Sequence, residues 1–217
     1  MNLYPKTKKF DKLIKMYSRM ANEGYKRRDG IYVSKENVYN SLEPIKFKEL
    51  LKKIFFDHKI NEILDYGSGN GDWQKKINET ETLQSFLGLD KINKFEPALG
   101  LNKIKKSQCV LCFDVLEHIF ISDIPFVLYE IFKNSKKLVV INVACYEAAA
   151  LLPNNENAHI TVRPPQWWKG CIDTVASNFP KIKYILISST EYQKAYVYSL
   201  TSHNIQINNQ KFVALDL

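Results

Sequence analysis

Six short apolar or β-branched runs set the rhythm of the chain from residue 61 onward. They cover residues 62–66, 86–89, 109–113, 138–143, 182–188 and 195–200, and helical patterns lie between them at 73–78, 124–132 and 165–178. Runs of this length suit strands, and the alternation predicts an α/β fold around a mostly parallel sheet with helices on both faces. The interval 91–108 is too short for the usual crossover, strand and second crossover, so we expect an element to be missing there.

The first sixty residues follow a different pattern. Apolar residues recur at helical spacing from residue 8 to residue 20, and again after Pro44 from residue 47 to residue 55. Between these helices, residues 24–44 lack periodicity and are rich in Gly, Tyr, Arg, Asn and Ser, which predicts a loop lying over the main domain as a lid. We therefore divide the chain into residues 1–60, a helical N-terminal extension with a lid, and residues 61–217, the α/β domain.

The excess positive charge of the chain lies entirely in this extension. Residues 1–60 hold 15 Lys or Arg against 7 Asp or Glu, whereas residues 61–217 hold 16 of each. A segment of one sign attracts anionic partners such as a phosphorylated metabolite, a nucleotide conjugate or a nucleic acid. A solvated helix face in a lysine-rich protein explains the same charge equally well.

Composition and hydropathy exclude several classes of protein. Of the 217 residues, 45% are hydrophobic and 25% are charged, which excludes disordered and fibrous chains. The apolar runs fall far short of the roughly 20 residues that cross a bilayer, and the N-terminus lacks the apolar stretch of a secretory signal. We therefore expect a cytoplasmic protein without a membrane span. Its four cysteines are expected to be thiols, since Cys109 and Cys112 face opposite sides of one strand.

A glycine-rich turn follows the first strand of the α/β domain. Residues 65–72 read Asp-Tyr-Gly-Ser-Gly-Asn-Gly-Asp, and glycine lets the backbone approach a ligand closely. The dinucleotide fingerprint needs its third glycine at position 72, which is Asp72, so an NAD-dependent oxidoreductase is disfavoured. The next apolar run ends in Asp90, where a carboxylate can accept hydrogen bonds from two ribose hydroxyls.

A third run leads into a polar cluster, Asp114-Val-Leu-Glu117-His118-Ile119. The glycine turn, Asp90 and this cluster, in this order, resemble class I S-adenosylmethionine-dependent methyltransferases, in the small-molecule branch with a DVLEHI-type motif. The resemblance covers residues 60–200 and implies a Rossmann-like fold, S-adenosylmethionine as cofactor, Asp90 on its ribose and Asp114 near its methyl group. The implied cofactor-binding residues are Asp65, Gly67, Ser68, Gly69, Gly71, Asp90 and Asp114.

Two histidines are candidates for acid–base chemistry beside the methyl group. His159 follows the strand at 138–143, where related methyltransferases place part of the acceptor pocket, and neutral imidazole there can take the proton of an acceptor hydroxyl. His118 is either a second catalytic group or a residue that fixes the end of its strand. We predict Asp114, His118 and His159 as the catalytic residues, with His159 as the base.

A metal site is the competing interpretation of the same residues. Asp114, Glu117, His118 and His159 resemble the divalent-metal site of some RNA 3′-end and quinone-precursor methyltransferases, and such ligands could hold Mg, Mn or Zn beside an acceptor hydroxyl. The Glu-His-Ile motif also occurs in relatives that bind no metal. We therefore predict no metal and keep the metal site as the alternative.

The sequence thus predicts a methyltransferase that acts on an oxygen of a small acceptor, anionic or sugar-linked, such as a precursor of a surface polysaccharide. Arginine suits a phosphate or a carboxylate, and the predicted acceptor-binding residues are Tyr25, Arg27, Arg28 and Arg163. The alternatives are an RNA methyltransferase, supported by the basic extension, and a non-catalytic scaffold that keeps the fold.

Overall fold

The computed structural model describes residues 4–192, 194–200 and 210–213. It confirms the α/β fold, with a Rossmann-like, mostly parallel sheet and an N-terminal helical extension. The helices are α1 (Lys8–Glu23), α2 (Lys48–His58), α3 (Leu83–Phe86), α4 (Ile124–Lys133) and α5 (Pro165–Ala176). The strands are β1 (Tyr25–Lys26), β2 (Tyr32–Val33), β3 (Glu62–Tyr66), β4 (Lys91–Phe95), β5 (Ser107–Phe113), β6 (Ser135–Ala144), β7 (Lys183–Glu191), β8 (Lys194–Leu200) and β9 (Gln210–Val213).

The central sheet has the strand order β4-β3-β5-β6-β7-β8-β9. The strands from β4 to β7 in this order run parallel, and β8 and β9 are each antiparallel to the preceding strand. From β3 the chain goes to β4 on one side and then crosses to β5 on the other side. In open α/β sheets, ligands bind outside the carboxyl ends of the strands at such a reversal. The topology therefore points to the carboxyl ends of β3 and β5.

Each face of the sheet packs against its own helices. Helices α1, α4 and α5 cover one face, where Leu128 and Trp168 are fully buried, and α2 and α3 cover the other face around Leu51. Cys112 belongs to the first core and Cys109 to the second, as the alternation along β5 predicts. Because α1 and α2 contribute to these two cores, the first sixty residues pack directly on the α/β domain.

Helix α1 begins and ends with residues that satisfy the backbone. The Thr7 hydroxyl accepts a hydrogen bond from the backbone N–H of Lys9 at 3.2 Å, and Gly24, with a φ of 87°, follows the last residue. Thr7 also donates from its backbone N–H and its hydroxyl to the buried carboxylate of Asp123, at 2.7 and 2.8 Å. These two bonds attach the start of α1 to the start of α4.

Two predicted elements are wrong. Residues 86–89 are not a strand, because Thr82 and Ser85 form a capping box that begins α3, and the next strand is β4. Residues 73–78 contain turns and bends instead of a helix. In the interval 91–108, β4 and a short 3₁₀ turn at Pro97–Leu99 are followed by β5, which begins at Ser107, so no α-helix connects the two strands. Within the described residues, β4 is accordingly an edge strand of the central sheet.

The predicted lid contains short regular elements. β1 and β2 form an antiparallel hairpin, and 3₁₀ turns follow at Lys35–Asn37 and Glu43–Phe47.

In the part of the chain that the structure describes, none of the helices has the length and apolar character needed to span a membrane.

Candidate active site

A cavity of about 590 Å³ lies at the carboxyl ends of β3 and β5. Its wall is formed by the glycine turn after β3, the residues after β4 and β5, the inner face of α1, the lid, and the loop after β6. A volume of this size is typical of sites for cofactors and small substrates. The cavity therefore occupies the position at which the sheet topology predicts a ligand.

The glycine turn and the lid are in direct contact. Gly67 and Gly69 have positive φ angles of 80° and 48°, and a Cβ atom on Gly69 would lie 2.9 Å from the Tyr39 Cβ. The backbone N–H of Asn70 donates to the Tyr39 carbonyl at 2.9 Å, and the Asn70 side chain donates to the Val38 carbonyl at 2.9 Å. Most of the predicted cofactor-binding residues line the cavity, namely Asp65, Gly67, Ser68, Gly69 and Asp114, whereas Gly71 does not.

Gly67→Ala is expected to destabilise the fold more than Gly100→Ala. Both residues have φ angles near 80°, but a Cβ atom on Gly67 would lie 2.2 Å from Val115 Cγ2, whereas the space around Gly100 is open. We expect a loss of about 1 kcal/mol for Gly100→Ala, from the backbone alone, and of about 2 to 5 kcal/mol for Gly67→Ala. Urea unfolding measures both values, and equal losses would show that the contact with Val115 costs nothing.

Asp90 does not reach the cavity, and the prediction that it binds a cofactor there is corrected. It precedes β4, at the amino end of the sheet, and its carboxylate accepts a hydrogen bond from Asn61 Nδ2 at 2.5 Å. Glu96 stands at the other end of β4, lines the cavity, and accepts hydrogen bonds from the N–H groups of Gly69 at 3.1 Å and Ala98 at 3.0 Å. Each oxygen of Glu96 has a lone pair left for a further donor.

Burial affects the ionisation of the carboxylates at this end of the cavity. It raises the pKa of Glu96, although the two backbone N–H groups that it accepts oppose the rise. Asp65 is buried at the end of β3 and accepts a hydrogen bond from Trp73 Nε1 at 2.8 Å. Burial raises the pKa of Asp65 to about 6, while Trp73 and Lys94 lower it. At neutral pH the site therefore holds a carboxylate whose charge the surrounding protein disfavours.

Asp65→Asn is expected to stabilise the protein at neutral pH. A raised folded-state pKa means that the native state binds a proton more readily than the unfolded state, so stability falls as pH rises from about 4 to about 6. Removing the charge recovers up to about 2 to 3 kcal/mol at pH 7 and almost nothing at pH 4. Urea unfolding at the two pH values measures the difference, and a variant that is less stable than the parent at pH 7 would contradict this account.

The residues predicted to be catalytic come together at the carboxyl end of β5. The Nε2 atoms of His118 and His159 lie 3.7 and 3.6 Å from Asp114 Oδ1, and the two imidazole centroids are 4.7 Å apart. Asp114 has a φ of 58°, a left-handed conformation that Asp adopts more readily than most residues. This turn directs the Asp114 carboxylate toward both histidines.

Backbone carbonyls lie beside the Nδ1 atoms of both histidines. His159 Nδ1 lies 2.5 Å from the Tyr146 carbonyl, and His118 Nδ1 lies 3.0 Å from the Ala158 carbonyl. Because a carbonyl can only accept, His159 Nδ1 carries the hydrogen, and the neutral His159 ring presents the lone pair of Nε2 toward Asp114. A proton or another cation between Asp114 and His159 offsets the repulsion between these lone pairs.

The charges of the cluster are complementary. Burial opposes the charge on Asp114, but the hydrogen bonds and charges of His118 and His159 outweigh it and hold the pKa of Asp114 well below its usual range. Burial also lowers the pKa of His159, yet the net effect of Asp114, Glu117 and the Tyr146 carbonyl is to raise it. An ionised Asp114 thus stands beside a histidine that gains a proton readily.

Glu117 is not part of this cluster, although the sequence suggests it as one of four metal ligands. Its side chain is fully buried and accepts a hydrogen bond from the backbone N–H of Ala144. Burial, and then the charge of Asp114, raises the pKa of Glu117 to about 8.

The ligand atoms of Asp114, His118 and His159 lie within 4.8 Å of one another. Histidines held by carbonyls through Nδ1 are typical of metal sites, so these three residues could hold a divalent ion that polarises an acceptor hydroxyl.

Only one of the four predicted acceptor-binding residues, Tyr25, lines the cavity. Arg27 forms an ion pair at 2.9 Å with an aspartate of the β1–β2 hairpin, and Arg28 is paired with Glu147. Arg163 lies outside the cavity, where its guanidinium group is 5.9 Å from the centroid of a tryptophan ring. None of these three arginines lines the cavity, and two of them are paired with neighbouring carboxylates, so their role at the acceptor stays a prediction.

Sequence reasoning missed residues that hold the histidines in place. The Tyr17 hydroxyl from α1 lies 2.8 Å from His118 Nδ1 and donates to the Ala158 carbonyl at 2.9 Å. Asn157 Oδ1 accepts hydrogen bonds from the N–H groups of His159 at 2.9 Å and Ala148 at 3.0 Å, which closes the loop after β6. One signal for Tyr17 was available, because a tyrosine on the buried stripe of a helix needs a partner for its hydroxyl.

We compared the chain with protein-family models, with curated proteins and with solved structures, and no match was found. The function is therefore inferred from the geometry of the site.

Proposed function

We propose that the chain is an S-adenosylmethionine-dependent methyltransferase that methylates an oxygen atom of a small acceptor. The observation that carries the proposal is that one cavity joins a glycine turn, a strand-end carboxylate and an aspartate–histidine cluster. The first two features suit a nucleoside cofactor, and the third suits proton transfer from a hydroxyl.

The cofactor half of the cavity is the part around the glycine turn. Gly67, Ser68 and Gly69 line the cavity, and Glu96 can accept hydrogen bonds from two ribose hydroxyls. When bound, S-adenosylmethionine supplies a methyl group on a positively charged sulfur. Asp65 and Asp114, which also line the cavity, add negative charge that favours a cation there.

The acceptor half contains the proposed base. His159 Nε2 takes the proton of the acceptor hydroxyl while the bond from oxygen to the methyl carbon forms and the bond from that carbon to sulfur breaks. The Tyr146 carbonyl holds the imidazole through Nδ1, and the Asp114 carboxylate stabilises the imidazolium that results. Because the transfer is a direct displacement, the other residues contribute by positioning the two reactants.

Isothermal titration calorimetry with S-adenosylhomocysteine and with NAD tests the cofactor. We expect S-adenosylhomocysteine to bind at one site and NAD to give no heat of binding. If NAD binds and S-adenosylhomocysteine does not, the oxidoreductase alternative replaces the proposal. If neither binds, the chain is a scaffold that keeps the fold without the cofactor.

An RNA acceptor is the second candidate, and the outer face of α1 favours it. The helix exposes Lys8, Lys9, Lys12 and Lys15, none of which forms an ion pair with another described residue. The opposite face of α1 lines the cavity, so a polyanion bound to these lysines would lie beside the site. Tight binding of a single-stranded RNA that falls steeply with salt, and that is lost when all four lysines are changed to Gln, would favour this candidate.

A further inference from the structure

The charged side chains that line the cavity are mainly acidic. Among the described residues, the lining contains a single lysine, Lys46, against five carboxylates, those of Glu43, Asp65, Glu96, Asp114 and Glu147. Lys46 is already neutralised, because its Nζ lies 2.8 Å from the Glu43 carboxylate. Arg28, from outside the lining, pairs with Glu147. The negative field of the described wall therefore comes from Asp65, Glu96 and Asp114, and the wall has no free ammonium or guanidinium group.

This field opposes an anionic acceptor. A phosphate or carboxylate that enters the cavity loses water and finds no unpaired lysine or arginine in the described lining. Burial of an unpaired charge is unfavourable. Asp114, which lines the cavity, would also repel such an anion. The cavity thus disfavours the anionic acceptor that the basic extension suggested.

The rim of the cavity already binds one ammonium group of the chain itself. Lys46 Nζ lies 3.9 Å from the centroid of the Tyr192 ring as well as beside the Glu43 carboxylate. A carboxylate together with an aromatic face is the combination that binds ammonium ions, because the ring attracts a cation without a hydrogen bond. Tyr25 and Tyr146 supply two more aromatic rings to the cavity wall that also contains Asp114.

From this arrangement, and resting on the proposed methyl transfer, we propose that the acceptor carries a positively charged amine next to the hydroxyl that is methylated, as in an amino alcohol or an amino sugar. The amine lies between the Asp114 carboxylate and the tyrosine rings. Its charge adds to the partial compensation that Asp114 receives from the two histidines, since the described lining has no free ammonium or guanidinium group.

Three probes of equal shape and different charge test this inference without knowledge of the acceptor. They are choline, which is cationic, 3,3-dimethylbutan-1-ol, which is its neutral counterpart, and 3,3-dimethylbutanoate, which is anionic. We titrate each into protein saturated with S-adenosylhomocysteine and follow the tyrosine ring signals by NMR. We expect choline to bind about tenfold or more tightly than the neutral alcohol, and the anion to bind more weakly than both.

Two variants test whether Asp114 causes the preference for choline. Asp114→Asn keeps a residue that tolerates the left-handed backbone and is expected to bring the preference for choline over the neutral alcohol close to one. Glu156→Gln is the matched control, because Glu156 is an exposed carboxylate of the same loop as His159 and does not line the cavity, so it should keep the full preference.

The outcomes separate this inference from the proposed function. Equal affinities for the three probes, undetectable choline binding, or tighter binding of the anion would overturn the inference even if S-adenosylhomocysteine binds. A preference for choline in a protein that fails to bind S-adenosylhomocysteine would instead support a cation site and refute the methyl transfer.

Discussion

Glu96→Gln weakens the binding of S-adenosylhomocysteine roughly 10-fold to 150-fold, or about 1.5 to 3 kcal/mol, if the carboxylate receives the two ribose hydroxyls. The same change at the residue favoured by the sequence, Asp90→Asn, leaves the affinity unchanged within about twofold, because Asp90 is exposed at the opposite end of β4. Calorimetric titration of the two variants measures this difference directly.

Because Glu96 also accepts hydrogen bonds from the N–H groups of Gly69 and Ala98, its replacement can disturb the glycine turn. Thermal unfolding of Glu96→Gln distinguishes a lost ligand contact from a disturbed glycine turn. A loss of affinity at unchanged stability is caused by the lost contact with the ligand. A loss of affinity in Asp90→Asn with none in Glu96→Gln would reverse the placement of the cofactor.

His159→Ala lowers turnover roughly 100-fold to 10,000-fold if His159 is the base, and neither a chelator nor added metal changes the activity of the parent. His58→Ala is the control, since His58 lies at the end of α2 and does not line the cavity. The base acts unprotonated, so activity rises with pH through the raised pKa of His159, and the midpoint lies above the usual histidine value near 6.5.

A metal-assisted reaction gives a different pattern. A chelator then abolishes the activity, one divalent ion restores it, and His118→Ala is as damaging as His159→Ala because each removes one of the three donors. Binding of Mn²⁺ to the parent, with loss in Asp114→Asn, measures the same site without catalysis. Chelator-sensitive turnover would overturn the role of His159 as a simple base.

The wrong placement of Asp90 results from the weak apolar pattern of the edge strand β4. β5, β6 and β7 are buried on both faces and therefore appear as continuous apolar runs, which is why their positions were predictable. β4, an edge strand among the described residues, has the sequence Lys-Ile-Asn-Lys-Phe. Its first lysine is exposed, and the buried Asn93 side chain donates a hydrogen bond to the Ser107 hydroxyl at 3.0 Å. The apolar pattern of β4 is weak, so the sequence predicts the strand at residues 86–89 instead. The acid at the end of the predicted strand is Asp90, whereas the acid at the end of β4 is Glu96.

The candidate catalytic cluster was predictable for a different reason. Asp114 and His118 lie at the carboxyl end of a strand that the sequence identifies, and the general rule for open α/β sheets places ligands there. The contacts of Tyr17 and Tyr146 with the histidines were not predictable, because they join segments that are distant in sequence and depend on the path of the loop after β6. Long-range hydrogen bonds of this kind leave no periodicity along the chain.

The participation of α1 in the cavity wall has a consequence for the effect of heat on the proposed activity. Helix α1 lies outside the central sheet, and the bonds between Thr7 and Asp123 hold its first turn. Elements outside a central sheet can open at lower free energies than its central strands. Detachment takes Tyr17 away from His118 and uncovers one wall of the cavity, while the sheet stays intact. If the chain has the proposed activity, its thermal inactivation precedes the unfolding of the sheet, so the half-life of the activity reports the release of α1 and not the stability of the whole fold.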